Sequence, residues 1–547
     1  MPIPLEIQTG NLALFQRVTC LLELILEKMK TTGVPISPDV LHYKAEQWRI
    51  RMSEHAQKVY QQIGKSFSFK SYKQVRDILY DPDKKKHSDG VRRLCLEPVL
   101  KWSKEKREMV ETTDQYAMGK LTHYNPNLQV LQDWSAYNRI IHRFNAFVIK
   151  LLRYAPCKFC TEKTKVGCTH CAGTQVGDIL GHDPRYVTVK NGKWRFHPTL
   201  LLLAVSGRPI STDPNILQWP RNDPDWNIDC RDIVAADENK MLVSYDLNKA
   251  ELFTGGFFFD DPAMLEVVKM GGRAFSVIAS EAFGISEEQC VKGGKFYHTA
   301  KQATYAFLFF VQARTLHETL AKQFVWIPED DCERMLKTLE KRFERYRENV
   351  MRYTWKWIKE RDPYYVVNYQ GRRFVSAKSP EFEGHKHYRD FIFAKKSKAR
   401  VDFFELCRKT ASFLIQGSAT GDNCQGDGLY IIDLLDKLTK KEWSCNRFEN
   451  GNWDLVAPLY LKYDELACEV HKDFIEPVKN IFEVHPGKYE YMDSYLGRKR
   501  LEGLQLGTDV TIEKQWQVKW PPPENYEQMT ESFNPKHFYR GDIRFKA

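Results

Sequence analysis

Two aspartates interrupt apolar, β-prone runs: Asp246 in Val243-Ser-Tyr-Asp-Leu-Asn-Lys-Ala-Glu-Leu252, and Asp464 in Leu461-Lys-Tyr-Asp-Glu-Leu466. A carboxylate carried toward a core is costly unless a cation sits beside it, and Mg²⁺ shared by two carboxylates is one way to satisfy both. Two ions bridged by such a pair suit phosphoryl chemistry, one acidifying an attacking hydroxyl and the other stabilising a pyrophosphate leaving group. Taken singly, each residue is also what an ordinary turn or cap Asp looks like.

A second constellation is Cys157-Lys-Phe-Cys160 with Cys168-Thr-His-Cys171. Two tight C-x-x-C knuckles let four thiolates close tetrahedrally around Zn²⁺, and four sulfurs leave no open position, so the ion is expected to be structural. A redox pair or an iron–sulfur cluster is the alternative for this spacing. Arg153, Lys158, Lys163 and Lys165 flank it.

The elements that must position these residues follow from the periodicity. Leu14, Val18, Leu21, Leu22, Ile25 and Leu26 recur at helical spacing until Gly33-Val34-Pro35 breaks the pattern; Asp39–Gly64 and Leu131–Tyr154 repeat it. The first 155 residues are therefore expected to be mainly helical. From Val187 to Val243 short β-prone pieces alternate with Gly, Asn and Pro clusters, so a sheet-bearing lobe is expected to begin there. Helical period returns from Asp261 to Arg361 in a stretch dense in Lys and Arg, and strand-like segments reappear at Leu459–Tyr463 and Cys468–Val470. The helical lobe then reads as an insertion between two halves of a sheet. The tail opened by Pro521-Pro522-Pro523 reads as extended.

A chain of 547 residues, 42% hydrophobic and 28% charged, is long enough for three or four folded lobes and is not disordered. Its longest apolar runs, Leu200–Val205 and Tyr305–Val311, are too short to span a bilayer. Met1–Gly10 lacks the basic and apolar regions of a secretory leader, which points to a reducing, cytoplasmic compartment where paired cysteines bind metal. The net charge of +11 suits a polyanionic partner.

Tyr245–Leu252 resembles motif A of the Pol I-like family A DNA polymerases, D-Y-S-Q-I-E-L, with Asp246 and Glu251 in register. Ala300-Lys301-Gln302-Ala303-Thr304-Tyr305 resembles the motif B helix, and Tyr463-Asp464-Glu465 resembles motif C. Ser206-Gly207-Arg208, Asn215, Gln218 and Pro220 resemble the T-G-R…P-N-L…P segment that precedes motif A, and Arg408 with Gln416-Gly417-Ser418-Ala419 resembles R…P-x-Q-G-x-A. Weaker echoes at Gly33-Val34, Phe67–Gln74, His197-Pro198 and Gly371-Arg372-Arg373 keep the family's order.

The resemblance implies an α+β right-hand fold: a helical N-terminal region and thumb over 1–155, a zinc knuckle inserted at 156–174, palm at 175–261 with motif A, fingers at 262–400 with motif B, and palm again at 401–547 with motif C and a tail. It implies that Asp246, Asp464 and the carbonyl of Leu247 hold two Mg²⁺ ions, with Glu465 as an accessory acid. Lys301 would meet the nucleotide phosphates as a catalytic cation. Tyr305, Phe309 and His298 would border the incoming nucleotide, and Glu251 would exclude a ribose 2′-hydroxyl. Arg208, Asn215, Gln218, Arg408, Gln416, Arg372 and Arg373 would face the primer–template duplex.

The implied activity is DNA-directed DNA synthesis from dNTPs, in the cytoplasm of a bacterium or a phage-infected host. Thumb-like features begin within the first 30 residues, so no proofreading nuclease is expected in this chain; a separate exonuclease, a helicase or primase, or a processivity factor are candidate partners. A single-subunit RNA polymerase and a decayed polymerase that only binds nucleic acid are the competing readings. Tyr297 stands where the family usually has the motif B arginine, Phe309 where it has Tyr, Phe310 where it has Gly, and Tyr463 where it has His; Asp422 is displaced by one position.

Overall fold

The computed structural model describes residues 18–81, 90–145, 187–219, 231–421, 431–435, 455–485, 508–515 and 518–519, apart from positions 104, 191–192, 203, 214, 293, 324, 369–370, 394–396, 433 and 463. Helix α1 (Cys20–Thr32) buries Leu22, Ile25, Leu26 and Met29 along one stripe. Gly33 ends it at φ 74°, and a Cβ there would come within 2.6 Å of the His197 ring. Strand β1 (Val34–Ile36) follows, then α2 (Pro38–Ile63), whose start is fixed by Ser37 accepting from the Val40 amide and whose end is fixed by left-handed Gly64. Helix α3 (Tyr72–Tyr80), the hairpin β2 (Leu100–Ser103) and β3 (Glu108–Glu111), α4 (Gln115–Tyr124) and α5 (Gln129–Arg143) complete this region, with α5 lying along α2.

Strands β4 (Val187–Lys190) and β5 (Lys193–Phe196) lie where short β-prone pieces were expected, but not in the sheet that carries the aspartates. They pair instead with β1 in a separate three-stranded sheet, ordered β1-β5-β4. Strands β6 (Thr199–Leu201) and β7 (Ile210–Thr212) form another short hairpin. Local β-propensity marked these strands, but nothing local could say which partner they take.

The large sheet starts at β8 (Lys240–Leu247). The chain then runs through α6 (Ala250–Phe258), α7 (Pro262–Lys269), α8 (Ala274–Phe283), α9 (Lys295–Leu308), α10 (Ala313–Lys322), α11 (Glu329–Arg342) and α12 (Glu344–Glu360). A hairpin of β9 (Tyr364–Val367) and β10 (Arg373–Ser376) leads to α13 (Lys398–Gln416). These helices share one core in which Phe307, Phe343, Tyr346, Phe403 and Leu414 are fully or almost fully buried.

Only afterwards come β11 (Val456–Lys462), β12 (Glu465–His471), α14 (Ile475–Val484), β13 (Thr508–Gln515) and β14 (Val518–Lys519). They complete an antiparallel sheet in the order β11-β12-β8-β13-β14, so the helical insertion read from the sequence is present. Side chains alternate across it. Val243, Tyr245 and Leu247 join Leu466, Cys468 and Val470 against α1 and α14, while Leu242, Tyr460 and Ala467 face the core of the N-terminal region. Each such buried side chain contributes roughly 1.5–3 kcal/mol, so the sheet is packed on both faces.

Candidate active site

The acids gather because of register. Strand β12 pairs with β8 so that Glu465 lies opposite Asp246, and the Leu247 amide donates to the Asp464 carbonyl at 3.1 Å. The β11–β12 hairpin thus delivers Asp464 to the end of β8, more than 200 residues from Asp246 in the chain. Strand β13 pairs on the other side of β8 and brings Asp509 opposite the same aspartate. Burial, together with the charges of Asp246 and Glu251, pushes the Asp464 carboxyl up to about 8, with Arg208 opposing. Asp464 thus shares a buried site with two further acids, Asp246 and Glu251.

Among the described residues no three His, Cys, Asp or Glu side chains stand close enough together to hold a metal ion by themselves. Two carboxylates and a backbone carbonyl suit a hard divalent cation that completes its shell with water or phosphate. Glu465 behaves differently from Asp464. It is buried, accepts the Tyr460 hydroxyl at 2.9 Å, and keeps its second oxygen without a hydrogen-bond partner among the described residues.

Lys249, left-handed at φ 53°, turns the chain from β8 into α6 and sets Glu251 in that helix's first turn. Glu251 pairs with Arg208, so the residue expected at the sugar and one expected at the duplex meet each other beside Asp464. Arg208 follows a tight turn in which the Gly207 amide donates to the Ala204 carbonyl. From α9, the Tyr305 phenol is raised well above its ordinary value by burial and then by Glu251, Asp464 and Asp246, which sets that helix face toward the acids. Lys301, one turn earlier, lies with its ammonium 6.0 Å from the Phe275 ring.

Other expected site residues sit in local contacts. His298 Nε2 is 3.0 Å from Gln323 Oε1, which ties it to the segment after α10. Tyr297, in the place of the usual arginine, packs edge-on against Phe275. Phe309 ends α9, and Phe310, left-handed at φ 55°, lies with Phe307 against the Arg347 guanidinium at 5.2 and 4.6 Å. Arg408 pairs with Glu405 and lines an 890 Å³ cavity with Phe310, Arg347 and Arg400. Gln416 accepts from the Ser412 hydroxyl at 3.3 Å, the Arg372 amide donates to Asn368 Oδ1 at 2.8 Å, and the Arg373 guanidinium lies 5.8 Å from the Tyr365 ring. Gln218 is exposed; Asn215 Oδ1 is buried with no hydrogen-bond partner among the described residues.

Cys157, Cys160, Cys168 and Cys171 lie outside the described residues, as do Tyr463, Asp422 and the tail from Pro521. Asp509 and Lys249 are the residues that sequence reasoning missed. The alternation Asp509-Val510-Thr511-Ile512-Glu513 was a readable strand signal, with polar and apolar positions exchanging every residue.

Compared with known proteins, residues 38–486 match the family description "DNA polymerase family A". A DNA polymerase of Bacillus phage SP01 is 26% identical over 163 residues, which is 28% of this chain and only 17% of the phage protein. Among solved structures, the POL domain of Pol1 from M. smegmatis, in a complex with DNA primer-template and dNTP, is 19% identical. It superposes with a TM-score of 0.61, covering 91% of this chain and 70% of that one, a likeness of fold to a right-hand polymerase domain. The match runs through the greater part of the chain and spans both aspartate-bearing strands, and on that ground the chain belongs to DNA polymerase family A.

Proposed function

We propose that this chain is a template-directed DNA polymerase that adds dNTPs to a primer 3′-hydroxyl by two-metal nucleotidyl transfer. The observation that carries the reading is the pairing of β8 with β12, which sets Asp464 beside Asp246 in a buried group of acids. Asp246, Asp464 and the Leu247 carbonyl fit Mg²⁺ by donor type. Bound there, Mg²⁺ would acidify the attacking hydroxyl and stabilise the pyrophosphate leaving group.

The chain's own residues do the rest. Lys301 meets the phosphates and stabilises the charge that develops on the leaving group. Tyr305 borders the sugar and base, and Glu251, fixed by Arg208, fills the space a 2′-hydroxyl would need. Glu465, buried and tied to Tyr460, supports the strand that carries Asp464 rather than entering the chemistry. Arg208, Asn215, Gln218, Arg408, Gln416, Arg372 and Arg373 serve primer–template DNA through contacts that do not depend on sequence. The region before residue 155 acts as thumb, the inserted helices as fingers, and the large sheet as palm.

The four cysteines of 157–171 are proposed to hold one structural Zn²⁺, supported by their spacing. Mass spectrometry of the native protein should find one zinc, and Cys160→Ser should lose it. No helix among the described residues is long and apolar enough to cross a membrane. We assign the activity to a bacterial or phage-infected cytoplasm, alongside a separate exonuclease, helicase or primase, or processivity factor.

The deciding experiment extends a labelled primer on a DNA template with Mg²⁺ and either dNTPs or rNTPs. Extension with dNTPs that is lost in both Asp246→Ala and Asp464→Ala supports the reading. Efficient extension with rNTPs would move it to an RNA polymerase, and no extension by folded wild type would leave a nucleic-acid-binding protein.

A further inference from the structure

Each lobe beside the large sheet has a core of its own. Val59, Leu79, Met118, Leu121 and Trp134 form the outer core of the N-terminal region, and no residue of the inserted helices enters it. The core of those helices draws on nothing before Leu252. Trp326, between α10 and α11, is buried yet belongs to neither core. Helix α4 covers it from the other lobe: the Tyr116 ring lies 5.1 Å from the indole between centroids, and a Cβ on Gly119 would rest 3.5 Å from it. His317 of α10 joins them, edge-on to Trp326 at 4.5 Å and to Tyr116 at 5.4 Å. Its Nδ1 donates to the Ile327 carbonyl at 2.6 Å, which leaves Nε2 of the neutral ring to accept from the Tyr116 hydroxyl at 3.2 Å.

At the large sheet, Trp48 of α2 and Ile140 of α5 share a core with Leu242 of β8, and β8 leads directly into α6 of the helical lobe. Both lobes are thus anchored at the strand that carries Asp246, and they meet again at Tyr116, His317 and Trp326, closing a ring of packed elements. We propose that these three residues are a latch: primer–template DNA lies inside the ring, retained by enclosure as well as by direct contact, and the latch opens to admit it. The inference rests on the polymerase reading and deepens it by assigning how the duplex is kept between additions. Two features suit a joint that must open. It consists of three ring side chains rather than a shared core, and the Trp326 indole N–H is buried without a hydrogen-bond partner among the described residues, so opening returns it to water.

The test follows the full chain on a fluorescent primer annealed to a single-stranded circle or to a short linear template, with excess unlabelled primer–template as trap. Wild type should leave the circle about tenfold more slowly than the linear duplex, because a ring slides off an end but must open to leave a circle. Tyr116→Ala and Trp326→Ala should each leave the circle about tenfold faster than wild type, and Tyr116→Phe, which loses only the hydrogen bond, roughly threefold faster. All should match wild type on the linear duplex and in single-nucleotide insertion with enzyme in excess. Tyr116→Ala combined with Trp326→Ala should be no faster than either alone, since both remove one contact. Additive losses, variants that leave the circle at the wild-type rate, or equal wild-type rates on the two templates overturn the latch and leave the polymerase reading intact. Dissociation needs no extension: if wild type binds but extends no primer, the polymerase reading falls and the circle still decides the latch. Absence of binding to either template overturns both.

Discussion

Asp464 carries a cost that the protein bears whenever no cation is bound. Its carboxyl binds a proton more tightly in the folded chain than in the unfolded one, so stability falls as pH rises from about 4 to about 8. In EDTA the melting temperature should drop across that window, Asp464→Asn should flatten the drop, and Mg²⁺ should remove most of it for wild type alone. An Asp464→Asn protein that melts like wild type at every pH would refute the assignment. At Glu251, removing the side chain empties the space assigned to a 2′-hydroxyl and releases Arg208. Glu251→Ala should raise ribonucleotide incorporation by roughly tenfold relative to dNTPs, read from single-nucleotide extension. Asp246 and Asp464 were legible in the sequence because an acid inside an apolar run is conspicuous. Asp509 was not singled out: its strand alternation could be read, but its pairing with Asp246 spans more than 200 residues.

Among the elements, glycines mark where segments touch. An added Cβ at Gly421 would stand 1.8 Å from the Ser206 carbonyl, a backbone atom that cannot swing aside. Gly421→Ala should therefore cost about 3 kcal/mol in denaturant unfolding, and should impair primer extension further by displacing the turn that holds Arg208. Helix limits were read closely wherever a cap stated them: α2 was expected over Asp39–Gly64 and runs Pro38–Ile63, between a Ser37 cap and left-handed Gly64. Strand partners were not read, because β-propensity reports that a segment fits a pleated surface and not which surface. That is why the pairing of β4 and β5 with β1 was not foreseen and β13 was overlooked.

At the scale of the molecule, Arg195 binds the regions to one another. Its guanidinium donates to the Gly33 carbonyl at 3.0 Å, to Asp237 at 2.6 Å and to fully buried Glu469 on β12 at 2.7 Å. Among the described residues, Arg195→Met would leave Glu469 buried beside Lys240 at 3.5 Å and the Asp237 amide at 2.7 Å, and should cost about 3–5 kcal/mol; Glu469→Gln in the same chain should return part of it. Strand β8 also dictates a calendar for biosynthesis. It lies at the middle of the sheet, yet both neighbours, β12 and β13, are made after the whole helical insertion. On the ribosome the helical lobe can compact early, whereas β8 must wait with unpaired edges until residue 515 has emerged. A chain terminated before residue 464 lacks both Asp464 and β12, so such unfinished copies can occupy a helical fold without ever acquiring chemistry.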